Sequence, residues 1–220
     1  MLFDLRSRGR RRTVQVVYLT LAVLMGGGLV LFGVGTGNGL GGLVNAFTGN
    51  GSNNQGAVLS QQEKAALKQT RLHPNNPAAW AGLVQARYQN ASSNGYDSAT
   101  NAYTADGKKE LGRATDAWQH YLQLTKTPDG NLAILAANAY GTLGQYGNEA
   151  AAWETETLSS NPAGAKGFEC LAISAYAAGQ TRKGDLASAK AVSMVPKASQ
   201  KQISSAIAAA KAQPTLAQSC

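Results

Sequence analysis

The longest apolar run of the chain lies near its N-terminus, well before any amphipathic pattern appears. Residues 14–34 read VQVVYLTLAVLMGGGLVLFGV, in which only Gln15, Tyr18 and Thr20 carry polar side chains. Because an α-helix rises about 1.5 Å per residue, a run of this length spans the roughly 30 Å hydrocarbon core of a bilayer. The pattern predicts a single transmembrane helix at residues 13–35.

Positive charge flanks this run on one side only. Five of the first twelve residues are arginine, and no Lys or Arg follows until Lys64. Since positively charged flanks tend to stay in the cytoplasm, residues 1–12 are expected to be cytoplasmic and the remainder extracytoplasmic. A cleaved signal peptide is the alternative, although the apolar run exceeds the usual length of about 7–15 residues and no clean A-x-A site follows it.

Glycine and asparagine dominate residues 36–56 and predict a flexible linker. Residues 37–42 match the pattern G-x-G-x-x-G. A dinucleotide-binding fingerprint, however, follows a soluble strand and opens a helix. Here a membrane segment precedes the match, which the glycine content explains by itself.

Apolar residues recur with a helical period from Ala57 onwards, so the folded part is predicted to be all-α. The first helix is expected at 57–74, with Ser60 and Glu63 forming a capping box at its start. Two later helices are expected to end at Gly144 and Gly179, because glycine readily takes the left-handed conformation that terminates a helix. A terminal helix at 197–213 would cover the end of the array with an apolar face of Ile203, Ala206, Ile207 and Ala210.

Prolines mark a regular period in this helical part. Pro128, Pro162 and Pro196 are spaced 34 residues apart, and Pro74 lies 54 residues before Pro128. We interpret the spacing as three helical hairpins at 75–128, 129–162 and 163–196. The first would carry an insertion of about 20 residues at about 91–108, where the sequence is rich in turn residues.

A helical hairpin of about 34 residues resembles the tetratricopeptide (TPR) repeat. The residues that match the family pattern are Trp80 and Leu83 in the first unit, Gly144, Tyr146, Ala150 and Pro162 in the second, and Phe168, Leu171, Gly179 and Pro196 in the third. The sequence departs from the pattern at Val84, Arg87, Trp153, Gly184 and Ser188. The resemblance implies a membrane-anchored TPR protein of bacterial type, with an α-α solenoid outside the cytoplasm.

The resemblance also implies a groove lined by the first helix of each hairpin, which binds a protein or peptide. Amide side chains suit a peptide backbone because they both donate and accept hydrogen bonds, and tyrosine adds apolar area with a polar tip. The expected groove residues are Gln85, Tyr88, Gln89, Asn131, Asn138, Lys166, Glu169 and Tyr176.

The net charge of +8 does not indicate a nucleic-acid partner. The excess sits at the two ends, whereas residues 57–181 carry nine basic and ten acidic side chains. A phosphate-binding surface would instead place its positive charge along a folded face. The basic C-terminal part, including Lys197, Lys201 and Lys211, is expected to be solvated; contact with anionic lipid is the alternative.

Residues that could carry chemistry are sparse. No catalytic, cofactor-binding or metal-binding motif occurs, so no enzyme activity, cofactor or metal is expected. Glu149, Glu154 and Glu156 are interpreted as a solvated helix face, and His120 as a partner of Asp116 one helical turn away. Cys170 and Cys220 either form a disulfide outside the cytoplasm or remain a buried and a loose thiol.

The sequence therefore predicts a single-pass membrane protein whose extracytoplasmic domain acts as an interaction scaffold or assembly factor. Its partners would be an unidentified protein or peptide and, through residues 13–35, the bilayer. One alternative is a secreted or tethered enzyme, or enzyme accessory, with a helical-repeat body. Another is a structural subunit of a homo-oligomer, assembled through the glycine-rich membrane segment.

Overall fold

The computed structural model describes residues 55–214 and Cys220, with side chains from Gln61 onwards. The expected transmembrane helix, and all but the last two residues of the expected linker, lie outside the described residues. Among the helices that are described, none is long and apolar enough to cross a membrane.

The described part of the chain is all-α, as its apolar periodicity predicts. It contains eight helices, which are α1 (Gln55–Leu72), α2 (Pro77–Asn94), α3 (Ala105–Leu124), α4 (Gly130–Thr142), α5 (Tyr146–Thr157), α6 (Ala165–Ala177), α7 (Thr181–Ser193) and α8 (Lys197–Ala212). The only strands among these residues are β1 (Tyr96–Asp97) and β2 (Ala102–Tyr103), which pair antiparallel between α2 and α3.

Each helix packs mainly on its neighbours along the chain. Contacts run in sequence order from α1 to α7, and α2 also reaches α4, while α8 lies on α6 and α7. Short connections force consecutive helices to run back alongside each other. The result is a linear array of helical hairpins, in which distant parts of the sequence rarely meet.

The turns of the second and third hairpins are built alike. Gly144 and Gly179 have φ angles of +70° and +72°, and each ends its helix in the left-handed conformation as predicted. The amide of the following glutamine then bonds back to a helical carbonyl, from Gln145 to Tyr140 at 2.9 Å and from Gln180 to Ala175 at 2.8 Å. These bonds satisfy carbonyl groups that a helix end otherwise leaves free.

The structural period differs by one residue from the proline period. Corresponding helices of the second and third hairpins start 35 residues apart, at Gly130 and Ala165 for the first helix and at Tyr146 and Thr181 for the second. The prolines are offset because Pro128 lies two residues before α4, whereas Pro162 lies three residues before α6. Proline marks the loop, and the helix start follows at a variable distance.

The first hairpin is longer because both its helices are longer. Its connection, residues 95–104, forms the small antiparallel pair in which Tyr96 faces Tyr103. We expected an insertion at about 91–108. Much of that range belongs to the extended ends of α2 and α3, so the added residues lengthen the helices as well as the loop.

The start of α1 corrects one expectation. The helix begins at Gln55, so Ser60 lies inside it and does not cap it. Glu63 is likewise not part of a capping box, since its carboxylate accepts hydrogen bonds from Arg87 at 3.3 Å and Asn90 at 3.1 Å. Glu63 instead joins α1 to α2.

A disulfide closes the C-terminal end of the domain. Cys170 on α6 is bonded to Cys220, with a Cα–Cα distance of 5.2 Å and a sequence separation of 50 residues. The alternative of two free thiols is therefore wrong. Helix α8, which lies within this segment, buries Ile207 and Ala210 against α6 and α7 but leaves Ala206 exposed.

Candidate partner-binding surfaces

The first-helix surface, formed by α2, α4 and α6, holds the residues that the sequence marked as a groove. Its best-defined part joins α2 to α4, where Asn138 lies near enough to the Tyr88 hydroxyl to offset part of the rise that burial causes in the pKa of that tyrosine. Tyr103 from the β-hairpin lies against the same tyrosine, and its own hydroxyl is 3.2 Å from Ser92 Oγ. Burial, with Tyr103 beside it, raises the pKa of Tyr88 above its ordinary value. The hairpin thus covers part of this surface.

The other expected groove residues on α2 and α4 are accessible to solvent. Gln89 is exposed and Gln85 is half-buried, and the two lie one helical turn apart next to Tyr88. Asn131 is exposed at the start of α4. These side chains can meet an approaching backbone without rearrangement of the core.

The third hairpin contributes less than expected. Lys166 and Glu169 form an ion pair with each other, at 3.3 Å, in the first turns of α6. Tyr176 is only 6% exposed; its hydroxyl donates to Asp185 Oδ1 at 2.7 Å, and Lys211 lies 5.4 Å from its ring centre. It packs against α7 and α8, so it is not available to a ligand in a groove.

A size exchange between the hairpins explains this placement. Gly141 and Tyr176 hold the same position in α4 and α6, and Glu149 and Gly184 hold the same position in α5 and α7. A Cβ on Gly141 would lie 3.0 Å from the Glu149 carboxyl carbon, and a Cβ on Gly184 would lie 2.5 Å from Tyr176 Cε1. In the second hairpin, the small Gly141 leaves room for Glu149. In the third hairpin, the small Gly184 leaves room for Tyr176. The departure from the family pattern at Gly184 makes room for Tyr176.

Two of the three glutamates expected on a solvated face are buried. Glu149 is 5% exposed and Glu156 is 1% exposed, whereas Glu154 reaches solvent and pairs with Lys183 at 2.6 Å. Glu156 accepts a hydrogen bond from the amide of Ala163, which ties the loop before α6 to α5.

Glu149 lies in an apolar site. Burial raises the pKa of its carboxyl to about 7, and the nearby Trp153 side chain offsets this only in part. The indole N–H falls short of a full hydrogen bond to it. No ion pair to Glu149 occurs within the described part of the chain. The carboxyl therefore has a strong tendency to stay protonated.

His120 has a different neighbour from the one expected. Its ring stacks on Trp80 with ring centres 4.4 Å apart, and the Trp80 indole donates to the carbonyl of Pro74 at 2.7 Å. The contact joins α3 to the start of α2. His120 is thus a packing residue of the first hairpin, and the expected pairing with Asp116 is not seen among its contacts.

One cavity lies apart from the residues expected in the groove. This apolar cleft, between α5, α6 and α7, has a volume of about 840 Å³. None of the eight expected groove residues lines it. Its residues are Glu154, Thr157, Leu158, Phe168, Leu171, Gly179, Gln180, Thr181, Arg182, Lys183, Leu186 and Ala187.

Two leucines at the cleft are far more exposed than their size warrants. Leu158 is 80% exposed and Leu186 is 66% exposed, although both belong to a residue type that is usually buried. Neither leucine belongs to the predicted site. A signal existed for Leu186, because the buried face of α7 is Gly184, Ala187 and Ala191, which leaves this leucine off the face.

A second recess is polar. It has a volume of about 410 Å³ and is lined by Gly112, Thr115, Asp116, Gln119, Tyr140, Gln145 and Asn148. The Gln119 amide donates to the Tyr140 hydroxyl at 2.6 Å, so the main polar groups already satisfy each other. Burial raises the pKa of Tyr140, which leaves it a neutral hydroxyl.

No cluster of three or more His, Cys, Asp or Glu side chains suited to a metal ion occurs within residues 55–214 and Cys220. Comparisons with protein-family models, with curated proteins and with solved structures find no match to this chain. Any conclusion about function therefore depends on the surfaces described above.

Proposed function

We propose that the chain is a membrane-anchored scaffold whose TPR-like hairpins bind a protein or peptide partner on the extracytoplasmic side. Residues 13–35 would form the anchor, and residues 36–54 the spacer that holds the domain off the bilayer. The domain would bind rather than catalyse. The observation on which the proposal rests is the first-helix surface, where Asn138 of α4 lies near Tyr88 of α2 and where Gln89 and Asn131 of the same two helices are exposed.

Two further observations support the proposal. Consecutive hairpins with a 35-residue spacing form an array of the kind that presents repeated first helices to a ligand. The Cys170–Cys220 disulfide supports a location outside the cytoplasm, because structural disulfides persist in oxidising compartments and are rare where thiols are kept reduced.

Site-specific photo-crosslinking tests the binding surface. A photoreactive amino acid would replace Gln89 or Asn131 in the full-length chain, expressed in its native membrane. The matched control replaces Ala151, which is equally exposed but lies on α5. The proposal predicts a discrete adduct from Gln89 and Asn131 and none from Ala151. Adducts that form equally from all three sites, or from none of them, would count against it.

A further inference from the structure

The apolar cleft between α5, α6 and α7 shares none of its lining residues with the proposed groove. Leu158 and Leu186 stand at it, and Phe168 and Leu171 from α6 extend it inwards. Both leucines leave most of their apolar surface in water, and burial against a partner would be favourable. Neighbouring apolar side chains of this kind are a mark of an interaction site.

The shape of the cleft favours a segment of another protein over a small molecule. A small-molecule pocket encloses about 70–90% of its ligand's surface. Here the leucines that would make the contact are themselves 80% and 66% exposed, so the cleft is open along its rim. Its lining comes from helices, and an amphipathic helix laid into an apolar groove is the corresponding recognition mode.

The charge around the cleft specifies the partner further. The charged residues that line the cleft are Glu154, Arg182 and Lys183, so the basic side chains outnumber the acidic one. At the cleft itself, Glu154 is neutralised by Lys183 at 2.6 Å, whereas Arg182 is exposed and makes no ion pair within the described residues. Both cations lie in the first turn of α7, where the helix dipole adds to the positive potential.

From this juxtaposition of exposed leucines and unpaired positive charge, we propose that the cleft binds an acidic amphipathic helix of a partner protein. Apolar residues on one face of that helix would contact Leu158, Leu186 and Phe168. Its flanking Asp or Glu residues would face Arg182. The site would be independent of the first-helix surface, so the scaffold would hold two partners, or two segments of one partner.

Selection from a displayed library of helical peptides identifies what the cleft prefers. The full-length protein, purified in a mild detergent, would be the target, and the selected peptides would then be synthesised for fluorescence anisotropy. The test variant is Leu158→Asp combined with Leu186→Asp; because both side chains are exposed, the fold should tolerate it. The control is Leu72→Asp on α1, where an exposed leucine lies outside the cleft.

The proposal predicts enriched peptides with apolar residues at helical spacing and acidic flanks. Their affinity should fall by at least about tenfold in the double variant, because it loses two apolar anchors and gains two negative charges that repel acidic flanks, and stay unchanged in Leu72→Asp. Arg182→Glu should weaken binding and reduce its dependence on salt. The proposal would be overturned if the selected peptides lack acidic residues, if they bind the double variant equally well, or if no peptide is enriched. It would also be overturned if native mass spectrometry detects a lipid bound in the cleft. Crosslinking from Gln89 should persist in the double variant, which separates the two surfaces.

Discussion

Replacing Glu149 with glutamine should make the domain more stable at neutral pH, because it removes a buried carboxyl that resists ionisation. Burial raises its pKa from the ordinary value of 4.5 to about 7. Between these values the unfolded chain releases the proton while the folded chain keeps it. Unfolding is therefore favoured progressively as the pH rises from about 4.5 to about 7. The contribution of Glu149 is fully present below this window and lost above it.

The size of the effect follows from the shift. One pKa unit corresponds to about 1.4 kcal/mol, so ionising this carboxyl in the folded state costs about 3 kcal/mol. The Glu149 residue is 5% exposed, so solvent screens little of that cost. The free energy of unfolding of Glu149→Gln relative to the wild type should therefore rise by about 3 kcal/mol between about pH 4 and about pH 8.

Denaturant unfolding followed by circular dichroism at both pH values measures this difference. Asp116→Asn is the control, because that carboxylate is exposed on α3 and should show little pH-dependent difference. A Glu149→Gln effect that is the same at both pH values would contradict this prediction. It would mean that the carboxyl is ionised in the folded protein at little cost.

The remaining predictions concern the packing and the crosslink. Gly184→Ala should destabilise the domain by about 1–3 kcal/mol, because its new Cβ would lie 2.5 Å from the buried Tyr176 ring. Gly112→Ala is the control: its new Cβ would have no atom within 4 Å, so the change should stabilise helix α3 by about 0.5–1 kcal/mol. Both are measured by denaturant unfolding, and equal effects would contradict the size exchange. Serine in place of Cys170 and Cys220 should lower the free energy of unfolding by about 4 kcal/mol on the chain-entropy relation for a separation of 50 residues. The same comparison with and without reductant checks it, and an unchanged melting temperature would argue against the crosslink.

Local signals predicted the helical part of the fold well. Gly144 and Gly179 were identified as helix ends because a left-handed residue is a backbone requirement that glycine meets at low cost. The all-α class was also predicted from a local signal, because the helical period of the apolar residues depends on residues only a few positions apart. The position of the extra residues in the first hairpin could not be predicted, because longer helices and a longer loop give the same proline spacing.

Features that depend on a second helix were missed. The burial of Glu149 and Glu156 follows from space left by glycines on another helix, at Gly141 and Gly167, and nothing near either glutamate in the sequence indicates it. Tyr176 looked like a groove residue because the small partner that accepts its ring, Gly184, lies on the following helix.

The cleft was missed for a related reason. An apolar residue at the end of α5 and another off the buried face of α7 look unremarkable one at a time. Leu158 and Leu186 become informative only when the fold brings them to the same cavity and leaves both exposed.

Cysteine accessibility in intact cells tests our proposal that the helical domain lies outside the cytoplasm on a membrane anchor. The substitution Ala99→Cys would place a thiol on the exposed β-hairpin, and Ser7→Cys would place one in the basic N-terminal segment. The account predicts that a membrane-impermeant maleimide labels Ala99→Cys in intact cells, and Ser7→Cys only after permeabilisation. Native Cys170 and Cys220 should stay unlabelled because they are paired. Labelling of Ala99→Cys only after permeabilisation would contradict the account and put the domain in the cytoplasm.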